Sequence, residues 1–372
     1  MKKIRERSLR LESLEDRMLL AVTAGCEEAA AAGYAAPAET GAEIVVNTLT
    51  MNALRNAIRD ANDGDTITFS VSGTISVTSA ITIGKNITID GGGNIILQGA
   101  GDRPLFNITS SCSFTGLELA GGATTDSSGN GGVGRVNEGV TVTLNDCSIH
   151  DNSALEGNND SGGAFYVSGT LNMNNCSVYS NKAAYGGFAY ISGRGTHATV
   201  NAVNCNFYGN SADDGAVIYN QGGTLNLTSC SVAGNTSQQG AIFDVNWLHS
   251  DLGSDGVWYT VLEICDTTVT YSIIACNYSP DQAVADFCED YATVLVHGGA
   301  YTWETYRKDD TFTKFECANS IIGLAGDYFA EAPVFDEDGN LTNLETIDLS
   351  IRSDSIAAWA GIGANPADYT GA

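Results

Sequence analysis

Four segments of this chain align without gaps, and that repetition limits its folding more than any other feature. They are Leu144–Asn152, Met173–Asn181, Ala202–Asn210 and Leu227–Asn235. Each carries a cysteine, an apolar residue two positions later and an asparagine five positions after the cysteine. Cys147, Cys176, Cys205 and Cys230 stand 29, 29 and 25 residues apart, and Asn152, Asn181, Asn210 and Asn235 keep the same steps. Between the copies fall Gly162-Gly163-Ala164-Phe165, Gly186-Gly187-Phe188-Ala189, Asp214-Gly215-Ala216-Val217 and Gln239-Gly240-Ala241-Ile242.

A repeat this short holds two or three short strands and cannot bury its apolar face alone. Stacked copies can, as parallel sheets with strands about 4.8 Å apart. Cys147 and Ile149 then share a face with Val142 and Leu144, and equivalent residues stack into ladders. Asn at one corner satisfies its amide against the next coil, while Gly at another supplies the positive φ of a tight turn. A coil of about 25 to 29 residues suits a right-handed β-helix, where a propeller blade needs about 40 to 45. The expected fold is all-β: a right-handed parallel β-helix with an N-terminal capping helix and an irregular side insertion.

Composition agrees. Gly stands at 43, Pro at 5 and charged residues at 16%, a profile poor in helix formers and rich in turn formers. The formal charge of −27 repels phosphate backbones, which excludes nucleic acid as an expected partner. His150, His197, His249 and His297 lie far apart and show no metal-ligand spacing. No cofactor or metal site is expected, with Ca²⁺ the one ion that so acidic a surface suits. No apolar run reaches the roughly 18 residues of a transmembrane helix.

The chain divides into residues 1–25, an export or surface-targeting segment, and residues 26–42, an Ala-, Glu- and Gly-rich linker. Residues 43–70 form an N-terminal cap, 71–365 the β-helix with an insertion at about 277–316, and 366–372 a tail. Met1 to Arg17 is basic with interleaved acids and is followed by a short apolar stretch, a poor match to a standard signal peptide. Leu14-Glu15-Asp16-Arg17-Met18-Leu19-Leu20 resembles the LEPR-XLL motif of large bacterial surface proteins, with Asp16 where that family has Pro. The resemblance implies export.

Val45, Val46 and Leu49 suggest a first strand. Asn52 then caps a helix with Leu54, Ala57, Ile58 and Ala61 on one face, and Thr66 to Phe69 begins an alternating strand. Leu54, Arg55, Ala57, Ile58, Ala61, Asn62, Asp65, Ile67 and Phe69 are similar to the CSLREAI domain that opens many bacterial β-helix proteins. That family's Cys and Ser are replaced here by Asn52 and Ala53. Over residues 140–245 the Gly-Gly-Ala-apolar and apolar-x-x-Asn motifs resemble the repeats of polymorphic outer membrane proteins. Phe207-Tyr208-Gly209-Asn210 carries that family's Phe-x-x-Asn. The resemblance implies an adhesin-like protein, secreted or displayed at the bacterial cell surface.

The equivalent positions of Cys147, Cys176, Cys205 and Cys230 fit a ladder of buried thiols. Neighbouring coils also lie close enough for bridges, and Cys265, Cys276, Cys288 and Cys317 are the better disulfide candidates. Trp303, Tyr301 and Tyr306, in the irregular region, are the candidate binding residues, since exposed aromatics stack on sugars and anchor protein contacts. Asp213, Asp214 and Lys182 are the candidates for catalysis, with Asp151, Asp160 and Arg194 in the same stretch. Acidic corner residues also simply solvate turns. The function expected is a structural or adhesive role, with a surface glycan, matrix or protein as partner of a monomeric chain. The alternative is a carbohydrate-active enzyme of the pectate-lyase type on acidic polysaccharide, either a lyase or a glycoside hydrolase.

Overall fold

The structure is a computed structural model. It describes residues 41–322, apart from 125–130, 155–159, 194–196, 253–257, 278–286, 306–313 and single or paired residues between 246 and 320. The LEPR-XLL-like segment, most of the linker, Arg194, Cys276, Tyr306 and the chain after 322 lie outside the described residues.

The chain is a parallel β-helix. On its long face, Thr141–Asn145, Thr170–Asn174, Thr199–Val203, Thr224–Thr228, Asp266–Thr270 and Lys314–Ala318 stack in parallel register. Ser148–His150, Ser177–Tyr179, Asn206–Tyr208, Ser231–Val232 and Ile273–Ile274 continue the same coils around a bend. A short face runs through Ser153–Ala154 and Lys182–Ala183. A third face stacks Gly134–Val136, Phe165–Val167, Ala189–Ser192, Ile218–Gln221, Ile242–Val245 and Phe287–Asp290. Alternation explains which side chains enter the core: Val142, Leu144, Leu171, Met173, Val200, Ala202, Leu225 and Leu227 are buried, and Thr143, Asn201 and Asn226 between them are not.

Leu144, Met173, Ala202 and Leu227 fall in one column, so the repeat alignment is the structural register. The register continues through Val269, making Val269–Asn277 a fifth copy with Ser272 opposite Cys230. The glycine motif, by contrast, aligns one residue differently from its sequence pattern. Positive φ falls on Gly162, Gly186, Gly215 and Gly240, at 72°, 69°, 64° and 58°. Asp214 therefore stacks against Tyr185, not Gly186. The φ requirement fixes the glycine, and the preceding residue is unconstrained.

The cap is the first coil of the same sheet. Glu43–Val46 pairs in parallel with Thr66–Phe69, which pairs in turn with the strand opening at Thr88. The helix spans Met51–Asp60 and buries Leu54, Ala57 and Ile58, but Thr50 caps it, not Asn52. The Thr50 Oγ1 accepts from the Ala53 N–H at 3.2 Å. Arg55 ties the helix to the next coil through the carbonyls of Ser79 and Ala80, at 3.0 and 2.8 Å. Lys85 Nζ donates to the carbonyls of Arg59 and Ala61 at the helix C-terminus, where a cation complements the dipole. Asp65 accepts from the Asn62 and Ala42 N–H groups at 2.7 and 2.8 Å, and these bonds hold its carboxyl below the usual range.

Within residues 277–316 the described residues form two rungs, Phe287–Asp290 and Lys314–Ala318, and an antiparallel hairpin, Thr293–Gly298/Ala300–Thr305, between them. A second hairpin, Trp247–Leu252/Trp258–Glu263, was not expected from the sequence. Both leave the third face and return to the long face at the same junction of consecutive coils. In earlier coils that junction is as short as Ser168-Gly169.

Candidate functional site

The interior ladder is structural. Asn152, Asn181, Asn210, Asn235 and Asn277 are buried at the same corner. Each amide donates to the next asparagine, at 3.0 Å in the first three links and 2.9 Å in the last. Each also donates to a carbonyl of the coil before it, Asn181 to Ile149 at 2.9 Å for example. The ladder extends beyond the four asparagines visible as a repeat: Asn277 Oδ1 accepts from the Asn235 N–H at one end, and the Gly122 N–H donates to the Asn152 Oδ1 at the other. The corner residues before these asparagines need positive φ: Asp151 and Ser180 adopt 53° and 54°, and Gly209 and Gly234 supply the rest.

Cys147, Cys176, Cys205 and Cys230 are free, buried thiols. Cys265, a disulfide candidate from the sequence, lies in the core. Its Sγ is bonded to the carbonyls of Asn220 and Val245, at 3.3 and 3.2 Å. Such a site satisfies a thiol locally. Burial pushes the Cys112 thiol up to about 12. Within the stack the same hydrogen bonds raise Cys147 and Cys205 and lower Cys176 between them. The net pH dependence therefore comes from the burial of Cys112 and of Cys265, whose thiol burial also raises. Unfolded thiols ionise near pH 8.5, so this contribution is complete below that value and is lost as pH rises through the folded-state values. The native protein is expected to resist iodoacetamide at pH 8, and its stability to fall between about pH 9 and 12. Mass spectrometry of alkylated native and urea-unfolded protein checks the first expectation, and denaturation curves against pH the second. Alkylation of these thiols at equal rates in both states would contradict the buried ladder.

The outer surface of the long face is polar. One column is threonine, Thr141, Thr170, Thr199 and Thr224, in direct register. Beside it run Thr143, Asn172, Asn201 and Asn226, with Asn201 donating to Asn172 and Asn226 to Asn201, each at 2.8 Å. Asn174 donates to Asn145 at 2.9 Å, and along the bend Asn204 donates to Asn175 at 2.9 Å. On the adjoining strands His150, Tyr179 and Tyr208 stack at 4.5 and 5.0 Å, with tilts of 8°. His150 had no role in the sequence reading. Its Nδ1 lies 2.7 Å from Asp151 and its Nε2 3.1 Å from Glu118, 32 residues away.

The third face carries Arg135, Tyr166, Tyr190 and Tyr219 in one outward column. The guanidinium lies 4.4 Å from the Tyr166 ring centre, and the tyrosines follow at 5.1 Å. Rings stacked on each other present edges and hydroxyls outward, not faces.

Beside this column lie the carboxylates that the sequence singled out. The Asp160 carbonyl accepts from the Ala184 N–H, and the Asp213 and Asp214 N–H groups donate to the Ala184 carbonyl, each at 3.0 Å. Asp160 and Asp213 thus flank Ala184, two rungs or roughly 10 Å apart along the axis. Burial, and then the charge of Asp213, holds the Asp160 carboxyl above its usual range. Its Oδ1 is shielded from solvent and has no hydrogen-bond partner among the described residues. Lys182 is exposed on the short face, opposite Ser153 and Ser211. Among the described residues no group of His, Cys, Asp and Glu is arranged to hold a metal ion.

Trp303 and Tyr301 lie on one strand of the second hairpin, in register with Leu295 and His297. The first hairpin carries Trp247 and Trp258, which leaves only Trp359, of four tryptophans, elsewhere.

No family model and no curated protein matches the chain. Five solved chains match it. One is a point variant of the PL6-family alginate lyase AlyGC, at 15% identity and a TM-score of 0.39 over 75% of this chain and 40% of that one. The same enzyme without that change matches at 14% and 0.32, over 68% of this chain and 40% of that one. The chain spans less than half the length of these structures. Its own strand pairing establishes the fold.

Proposed function

We propose that this protein is a surface-displayed β-helix whose role is structural and adhesive, with the two hairpins as its contact elements. One observation carries the reading: three of the four tryptophans lie on hairpins inserted at the same junction of consecutive coils. In a solenoid, insertions of this kind concentrate on one side, frequently the binding side, and Trp and Tyr dominate binding hot spots. The interlocked Asn ladder supplies the rigid support that such elements need. The LEPR-XLL-like and CSLREAI-like segments support export to the bacterial surface. Retention of the full chain on immobilised glycans and extracellular-matrix proteins tests the role. Trp303→Ala is expected to weaken retention at least about tenfold, the size of a modest hot spot, with an unchanged melting temperature. Wild-type protein that binds nothing in such a panel, or a variant that binds equally well, would sink the hairpin assignment.

A second reading, carbohydrate hydrolysis, is supported by Asp160 and Asp213. Two carboxyls two rungs apart, one raised above its usual range by burial, are the kind of pair that glycoside hydrolysis uses. The test is release of reducing or unsaturated ends from neutral and acidic polysaccharides, with and without Ca²⁺. Product formation that Asp213→Asn abolishes would favour it over adhesion.

A further inference from the structure

We infer that the outer surface of the long face is a second binding site, for an extended neutral polysaccharide. The chain carries 44 acidic and 17 basic residues, yet none lies among the outward positions of Thr141–Asn145, Thr170–Asn174, Thr199–Val203 and Thr224–Thr228. Those positions hold Thr, Asn and one Val. In a protein of charge −27, this sheet is a neutral strip bounded by acidic residues: Asp146 at its bend and Asp266 at its far end. An anionic polymer approaching it meets a repulsive field that reaches about 8 Å at physiological ionic strength. An uncharged hydroxyl-rich chain meets none. The strip is therefore complementary to a neutral glycan and unsuited to alginate or pectate.

Its hydrogen-bonding groups are already ordered. The Asn226–Asn201–Asn172 row links its amides at 2.8 Å, which fixes their rotamers. A primary amide has two N–H donors and two acceptor lone pairs, so the links of the half-buried Asn201 and Asn226 use only part of that capacity, while Asn172 is buried behind the surface. Threonine hydroxyls repeat at about 4.8 Å along the axis, in a column displaced from the amide row by about 7 Å along the strands. Groups fixed before a ligand arrives lose little entropy on binding. A polymer with regularly spaced hydroxyls can engage successive rungs in the same way.

The test is native affinity electrophoresis of the full chain in gels containing soluble neutral polymers, β-glucan, xyloglucan and glucomannan, against alginate and polygalacturonate. Retardation by at least one neutral polymer, persisting at high salt, and by neither anionic one is the expected result. Thr170→Asp with Thr224→Asp, both half-buried outward positions, is expected to weaken it tenfold or more. Ser177→Asp on the adjoining strand is a second variant should the first fail to fold. Trp303→Ala should leave the retardation intact, which separates this site from the hairpins. The inference is overturned if no neutral polymer retards the protein, if the charged variants are retarded equally, or if Trp303→Ala abolishes the effect. It is also overturned if these variants instead abolish a concentration-dependent dimer in gel filtration, because the strip would then be a contact between copies.

Discussion

Asn210→Ala is expected to be the most damaging single substitution in the β-helix, lowering stability by about 3 to 5 kcal/mol. The Asn210 Nδ2 donates to the carbonyls of Val178 and Tyr208 at 3.0 and 3.2 Å, and to Asn235 at 3.0 Å. Its Oδ1 accepts from the backbone and side-chain amides of Asn181, at 3.1 and 3.0 Å. Alanine removes every one of these bonds in a position with no solvent exposure. Each buried polar group left unsatisfied costs about 1 to 3 kcal/mol, and water cannot enter without opening the corner. Because each coil is held by its neighbours, the loss should spread to both adjacent coils. Asn210→Asp should be no milder: it keeps the acceptor, loses the donors and buries a charge. Urea denaturation read by circular dichroism measures both. A loss under about 1 kcal/mol for Asn210→Ala would mean that the ladder is ornamental.

Gly187→Ala should follow closely, at about 3 kcal/mol, for a different reason. A Cβ there would lie 2.1 Å from the Ala216 carbonyl oxygen and 2.7 Å from that of Ser211. Both are backbone atoms of the next coil, so neither can rotate away, and the coils must separate. Gly92→Ala is the control. Gly92 has φ of 58° but nothing within 4 Å of its Cβ, so only conformational strain of about 1 kcal/mol is expected. Equal losses at the two sites would show that the close approach of Ala216 and Ser211 adds nothing at Gly187.

Adding one methyl group at Gly187 tests a distance between coils, and that is the kind of fact a sequence conceals. Gly186, with its φ of 69°, belongs to a repeated pattern; Gly187 matters because Ala216 approaches it. The same division separates the candidate sites. Trp303 and Tyr301 stand out as aromatics in an irregular stretch, but pairing alone shows that they share a hairpin and that Trp247 and Trp258 form its counterpart. The His150 contacts with Glu118 and the approach of Asp160 to Asp213 join residues one or two coils apart, with no local pattern to announce them.

Whatever is repeated and local was determined by the sequence: the coil length, the alternation that points Val142 and Leu144 inward, the corner asparagines and the cysteine column. These follow because steric limits on φ and the two-residue period of a strand act within a few residues. Tertiary structure alone decided the register at Asp214 and the continuation of the ladder to Asn277. It also decided the second hairpin and which polar residues share the long face. Those outcomes depend on stacking between coils, where each rung's neighbours are set by how much chain loops out before the next strand begins.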